Sequence, residues 1–205
     1  MQLDKMALEQ LDSRYRAHLI NSLSGFKSAN LIGTQSKNGQ TNLAIVSSVF
    51  HLGAHPPLVG MIIRPHSVPR HTFENIKETG YYTINQVNGD IYSQAHQTSA
   101  RYDRDESEFA ATGLSPEYLN DFNAPFVSQS RLKYAVRLVE HQHLKINGTE
   151  LVIGEIIDLH IDGNVISDDG YINIEALNTV AVSGLDSYHT THSITRLPYA
   201  KKQRV

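Results

Sequence analysis

The sequence predicts a mainly β protein: an antiparallel barrel with a few helices outside it or across its mouth. Three observations point there. Runs rich in β-branched and aromatic residues recur along the chain, roughly six to eight of them. Two Asn-Gly dipeptides, Asn38-Gly39 and Asn147-Gly148, sit between such runs, where a tight hairpin turn needs positive φ. Strands mostly joined by hairpins favour an antiparallel barrel over a βαβ sheet.

Taken in order, residues 4–24 place Leu8, Leu11, Tyr15, Leu19 and Leu23 at spacings of three and four, with Gly25 as a stop. That spacing predicts one or two short amphipathic helices. From Ala29 the period changes, and the runs on either side of Asn38-Gly39 form a hairpin whose second arm, residues 41–50, reads as one strand. Pro56-Pro57 cannot donate to a ladder, so the sheet breaks there before residues 58–63 resume as a buried strand. Phe73, Ile76 and Thr79 recur at helical spacing between Pro69 and Gly80, which predicts a helix from about Pro69 to Thr79. Another strand spans residues 81–87 and ends at Asn88-Gly89. Residues 90–125 form a polar excursion with short helices expected at 91–97, 106–111 and 116–122. Two long strands follow, 132–144 and 151–161, around the second Asn-Gly turn, with Lys133, Arg137 and Glu140 on a wet face. Residues 164–189 hold only short apolar stretches.

A chain of 205 residues is long enough for one sizeable core, so a single domain over residues 1–205 is expected, with a helical extension at 1–28 and a tail at 190–205. Lys and Arg number 18 against 21 Asp and Glu, and the basic residues are scattered apart from Lys201, Lys202 and Arg204. A nucleic-acid partner needs a concentrated basic face, so none is expected. Cysteine is absent, which excludes disulfides, thiolate catalysis and cysteine metal sites. Residues 1–20 show neither a spanning apolar run nor a charged-then-apolar leader, so the expectation is a cytoplasmic protein with no membrane partner.

Chemistry concentrates in residues 42–72. The helix start at Arg70, His71 and Thr72, with Arg64 upstream, joins unpaired amides and the positive dipole end to guanidinium forks that match a phosphate. The same residues also suit an ordinary capped helix with solvent-facing arginines. Asn42, Ser47 and Ser48 offer small polar groups on an apolar strand, where alternation sends the two serines to opposite faces. The segment 97–109 contains Arg101 and Tyr102, able to close over a phosphate or ring, followed by a charge run that reads as a solvated loop. Of the 11 histidines, His141 with His143 and His189 with His192 have ligand-like spacing but lack H-E-x-x-H, so no metal is assigned. No G-x-S-x-G or G-x-G-x-x-G is present.

In this order the segments N-L-A-I-V-S-S-V-F (42–50), P-P-L-V-G (56–60), R-H-T-F-E-N-I (70–76), Y-T-I-N (82–85) and the block at 96–115 resemble the flavin reductase-like, FMN-binding split-barrel family. That family includes flavoredoxin and the reductase components of two-component flavin monooxygenases. The resemblance implies an FMN-binding split β-barrel, a homodimer with FMN near the subunit interface, and NAD(P)H as transient reductant, with FAD as the alternative flavin. It implies further that the strand from Asn42 to Ser48 lies beside the isoalloxazine with Ser47 or Ser48 bonding its polar edge, that Arg70, His71 and Thr72 match the phosphate-side helix start, beside which Arg64 is counted from its position, and that Ser99 and Arg101 complete the site. The family's usual acidic residue before the helix threonine is His71 here. Flavin carries the redox chemistry, so no catalytic side chain is expected. The implied activity passes reducing equivalents to free flavin, a monooxygenase or another acceptor. A non-enzymatic FMN carrier and a pyridoxamine-phosphate-oxidase-like barrel are the alternatives.

Overall fold

A computed structural model describes residues 2–202, so Arg204 of the basic C-terminal group lies outside the described residues. Two helices open the chain, α1 (Lys5–Gln10) and α2 (Ser13–Ser22). Each begins at an aspartate that accepts first-turn amides, Asp4 from Ala7 and Asp12 from Arg14 and Tyr15. A short β1 (Lys27–Ser28) leads into β2 (Asn30–Gln35), which pairs antiparallel with β3 (Thr41–Val46). Gly39 takes the positive φ the turn requires, at 83°.

After β3 the chain continues as β4 (Val49–Ala54) and β5 (Pro57–Ile63), then α3 (His71–Thr79) and β6 (Tyr81–Gln86). Helices α4 (Tyr92–Gln97) and α5 (Glu108–Thr112) precede a two-stranded flap, β7 (Pro116–Glu117) with β8 (Phe126–Val127). The long hairpin β9 (Leu132–Leu144) and β10 (Thr149–Ile161) completes the large sheet. A small hairpin, β11 (Ala181–Ser183) and β12 (Ser187–His189), pairs with β1.

Seven strands form one sheet in the order β3-β2-β6-β9-β10-β5-β4. Its two edge strands are consecutive in the chain, with only Ser47 and Ser48 between them. Laid flat, seven strands would hold their edges roughly 28 Å apart, whereas three residue steps span at most about 11 Å. The sheet therefore curls until its edges meet at that corner. There the Ser48 hydroxyl donates to the Ile62 carbonyl at 2.7 Å and the Ile62 amide to the Ser48 carbonyl at 3.3 Å. The expected single strand over 41–50 is thus corrected: it breaks at the two serines, because its halves belong to opposite edges.

Strand β2 separates two cores. Leu31 faces one with Leu43, Val87, Ile91, Phe109 and Val182, and Ile32 faces the other with Met61, Phe73, Ile76, Tyr82 and Val152. Alternation then buries every position of β2 but the last. Helix α3 plugs the second core with Phe73 and Ile76, each contributing roughly 1.5–3 kcal/mol by burial. It stops at Gly80, whose φ of 78° places it in the left-handed region, its amide returning to Ile76.

Two further expectations are corrected. Residues 116–122 are not helical: Pro116–Glu117 pairs with Phe126–Val127. Lys133 is not on a wet face, because that flap covers it; its ammonium donates to Glu117 at 2.5 Å and to the Val127 and Ser128 carbonyls. Among the described residues no helix is long and apolar enough to cross a membrane.

Candidate functional site

Beside β3 lies a cavity of about 970 Å³, within the range of small-molecule sites. All nine residues singled out from the sequence line it: Asn42, Ser47, Ser48, Arg64, Arg70, His71, Thr72, Ser99 and Arg101. They come from β3, the serine corner, the end of β5, the start of α3 and the turn after α4.

The cationic end is the start of α3. Its N-cap is Arg70, which offers no side-chain cap, so the first-turn amides lack the usual Ser, Thr, Asp or Asn partner. The Arg70 amide donates to Glu74 and its Nε to the Pro65 carbonyl. Burial first, and then the charges of Arg64 and Arg101, lower the proton affinity of Arg70. Three guanidinium groups therefore share one neighbourhood, and none takes part in an ion pair among the described residues. The nearby Glu74 is already engaged by Arg104 and by His66 at 2.9 Å. Like charges held together without a carboxylate ion-pair partner among the described residues offer a site for an anion.

Beneath it, Asn42 donates to the Thr72 hydroxyl at 2.9 Å and to Thr34 at 3.3 Å, and Asn75 donates to Thr34 at 3.2 Å. Asn42 is nearly buried and its amide nitrogen is spent, so it fixes the helix start against β3. Of the two serines, Ser48 uses its hydroxyl on Ile62, while that of Ser47 makes no hydrogen bond among the described residues.

Sequence reasoning missed what holds the outer edge of β3. The Leu43 amide donates to Glu108 at 2.8 Å and the Ile45 amide to the Thr98 hydroxyl at 3.0 Å. Glu108 is only 7% exposed, so the charge run that reads as a solvated loop ends in a buried carboxylate, pushed up by burial. These side chains occupy the edge that a closed barrel would pair with β4, which keeps the barrel split. Also missed were Asn21, His96, Val182, Leu185 and Tyr188, all on the cavity wall. The one local cue was Gly184, which turns β11 into β12 and delivers Tyr188. Of the histidine pairs, His143 lies 2.8 Å from Glu150 and His141 4.0 Å from it, away from the cavity lining.

The family model described as "Flavin reductase like domain" matches residues 23–176. The crystal structure of a proposed flavin reductase with split barrel domain from Shewanella frigidimarina NCIMB 400 superposes with a TM-score of 0.95 at 68% identity, covering 98% of this chain and 100% of that one. Nitrilotriacetate monooxygenase component B from Bacillus cereus gives 0.84 at 18% identity, covering 96% and 98%. Flavoredoxin of Desulfovibrio vulgaris (Miyazaki F) gives 0.74 at 21%, covering 86% and 92%. At such low identity the last two speak to the fold alone; the split barrel named for the Shewanella protein matches the curled, open sheet.

Proposed function

This chain belongs to the flavin reductase-like domain family, and from that premise we propose an oxidoreductase that moves reducing equivalents from NAD(P)H through bound FMN to free flavin or another acceptor. The observation that carries the cofactor assignment is the trio Arg64, Arg70 and Arg101, without carboxylate partners, at an uncapped helix start. A phosphate monoester carries about −1.5 to −2 charge at neutral pH and suits such a cluster. The residues present thus fit FMN: the arginines and first-turn amides of α3 would hold its phosphate, and Ser47 keeps a free hydroxyl for the ring edge.

When bound, flavin supplies the two-electron chemistry itself. The chain binds, orients and shields. Arg70 is partly buried and braced on Pro65, which presets its fork, while Asn42 holds Thr72 in register with β3. His71 stands at the first helical position, so the nearest carboxylate at this end is that of Glu74 in the same turn, which accepts from the Arg70 amide.

The test compares FMN with riboflavin by fluorescence quenching, followed by NADH and NADPH oxidation after reconstitution. FMN is expected to bind at least about 100-fold tighter than riboflavin, through charge-assisted bonds of roughly 1.5–3 kcal/mol each, and Arg70→Ala removes much of that margin. Equal affinity for the two flavins, together with no turnover of either nicotinamide, would sink the reading.

A homodimer completes the proposal. Strand β4 is a sheet edge that exposes Phe50 and Leu52, and the ring of Phe50 lies over Gly60 on β5, where any Cβ would collide with it. An exposed apolar sheet edge calls for cover. A monooxygenase partner that receives reduced flavin is the proposed acceptor, by analogy with the Bacillus cereus protein, which is named as component B of a monooxygenase.

A further inference from the structure

One wall of the cavity comes from chain outside residues 23–176, the span of the family match. Asn21 of α2, Val182 of β11, Leu185 and Tyr188 of β12 form it, together with His96 of α4. The arginine end and β3 lie wholly inside that span, so the two parts of the cavity are built from different stretches of the chain. The wall is braced: the Lys27 ammonium donates to the Asn21 carbonyl at 3.1 Å and the Gly184 carbonyl at 3.0 Å, tying α2 to the β11–β12 turn.

Its chemistry contrasts with the cationic end. No carboxylate, ammonium or guanidinium stands among these five side chains. The Tyr188 ring packs on Tyr92 with centroids 5.6 Å apart and meets the His96 imidazole edge-on at 5.7 Å. Its hydroxyl lies 3.1 Å from His96 Nδ1. Burial, then Asp186, push that hydroxyl up to about 12, so it keeps its proton at physiological pH. Whichever partner donates, the pair leaves a further donor: Nε2–H of His96 in one arrangement, the Tyr188 hydroxyl in the other.

We propose that this wall determines specificity for the second substrate, and that it receives a planar conjugated ring bearing a carbonyl oxygen, packed by Tyr188 and hydrogen-bonded by the Tyr188–His96 pair. The inference rests on reading the cavity as a flavin site. Such a ring has two sources, the carboxamide-bearing nicotinamide of the reductant or a quinone-type acceptor. Aromatic packing selects the ring, the donor selects the carbonyl, and the lack of charge disfavours anionic rings.

Oxidised, FMN-loaded protein is titrated calorimetrically with NAD+ and with 2-methyl-1,4-naphthoquinone, neither of which reacts with oxidised flavin. Wild type is compared with Tyr188→Phe, Tyr188→Ala and His96→Gln, with FMN affinity measured on each. Tyr188→Phe is expected to weaken one ligand about five- to ten-fold and FMN by less than about two-fold. Tyr188→Ala weakens that ligand further, and the KM of the corresponding substrate rises more than kcat falls. The ligand that shifts identifies the source of the ring. Unchanged binding of both ligands in every variant overturns the proposal, as does a loss of FMN affinity that matches the loss of ring affinity. If Tyr188→Ala does not fold, Tyr188→Phe, which preserves the packing, decides. Wild type that takes up no FMN overturns the underlying flavin reading instead, and is seen before any variant is compared.

Discussion

Two carboxylates beside the cavity respond to pH in opposite senses. Burial raises Glu108 above the ordinary carboxylate value, against the lowering effect of the Leu43 amide. A group raised by folding adds stability below its unfolded pKa, and that share is lost as pH climbs through the folded value. For Glu74, burial pushes upward but the Arg70 amide, then Arg104 and His66, hold the carboxyl low. Its share is present above the unfolded pKa and lost as pH falls through the folded one. Glutamine at 108 can still accept from Leu43 without carrying charge. Urea unfolding should therefore find Glu108→Gln at least as stable as wild type at pH 8, with the lead shrinking as pH drops into the carboxylate range. A wild type more stable than Glu108→Gln at pH 8 would show that the charge is wanted. Glu108→Ala leaves a buried amide unpaired and should cost about 1–3 kcal/mol. None of this was legible in D-R-D-E-S-E-F, where five charges in seven residues look solvated. Only the edge of β3 gives the last of them a reason to be buried.

At the scale of elements, α3 and the β7–β8 flap make separable predictions. Asn42 links β3 to the first turn of α3, so Asn42→Ala should loosen the helix start. FMN affinity should fall about five-fold or more, the worth of one hydrogen bond, while riboflavin affinity barely moves. Equal losses for both flavins in fluorescence titrations would place Asn42 at the ring instead of the phosphate. Under the flap, Lys133 is a buried ammonium with Glu117 as its partner. Lys133→Ala should cost roughly 3 kcal/mol in chemical denaturation, whereas Lys133→Met, which refills the volume, should cost clearly less. The start and stop of α3 were readable from Pro69 and Gly80, since helix boundaries are set within a turn. The flap was not, because its strands are two residues long and exist only where β9 offers a surface to cover.

For the whole molecule, the proposed dimer is tested by sedimentation velocity. Wild type should sediment as a dimer and Phe50→Glu as a monomer, since a carboxylate over Gly60 cannot share an apolar interface. A monomeric wild type at micromolar concentration would leave the β4 edge without its proposed cover.

What the sequence determined by itself was the set of local elements: two Asn-Gly hairpins, a helix ending in Gly80, an antiparallel mainly β chain, and an ordered series of motifs sufficient to name the family. These signals act across a few residues, through φ, missing amides and side-chain period. Tertiary structure alone decided the break at Ser47 and Ser48, the burial of Glu108 and the placing of Tyr188 against His96. Each depends on partners far along the chain, Leu43 with Glu108 at a separation of 65 residues and His96 with Tyr188 at 92. The physical reason is tertiary packing: the curl of the seven-stranded sheet makes the serine corner, while the docking of α4, α5 and the separate β1-β11-β12 sheet makes neighbours of residues that no local pattern links.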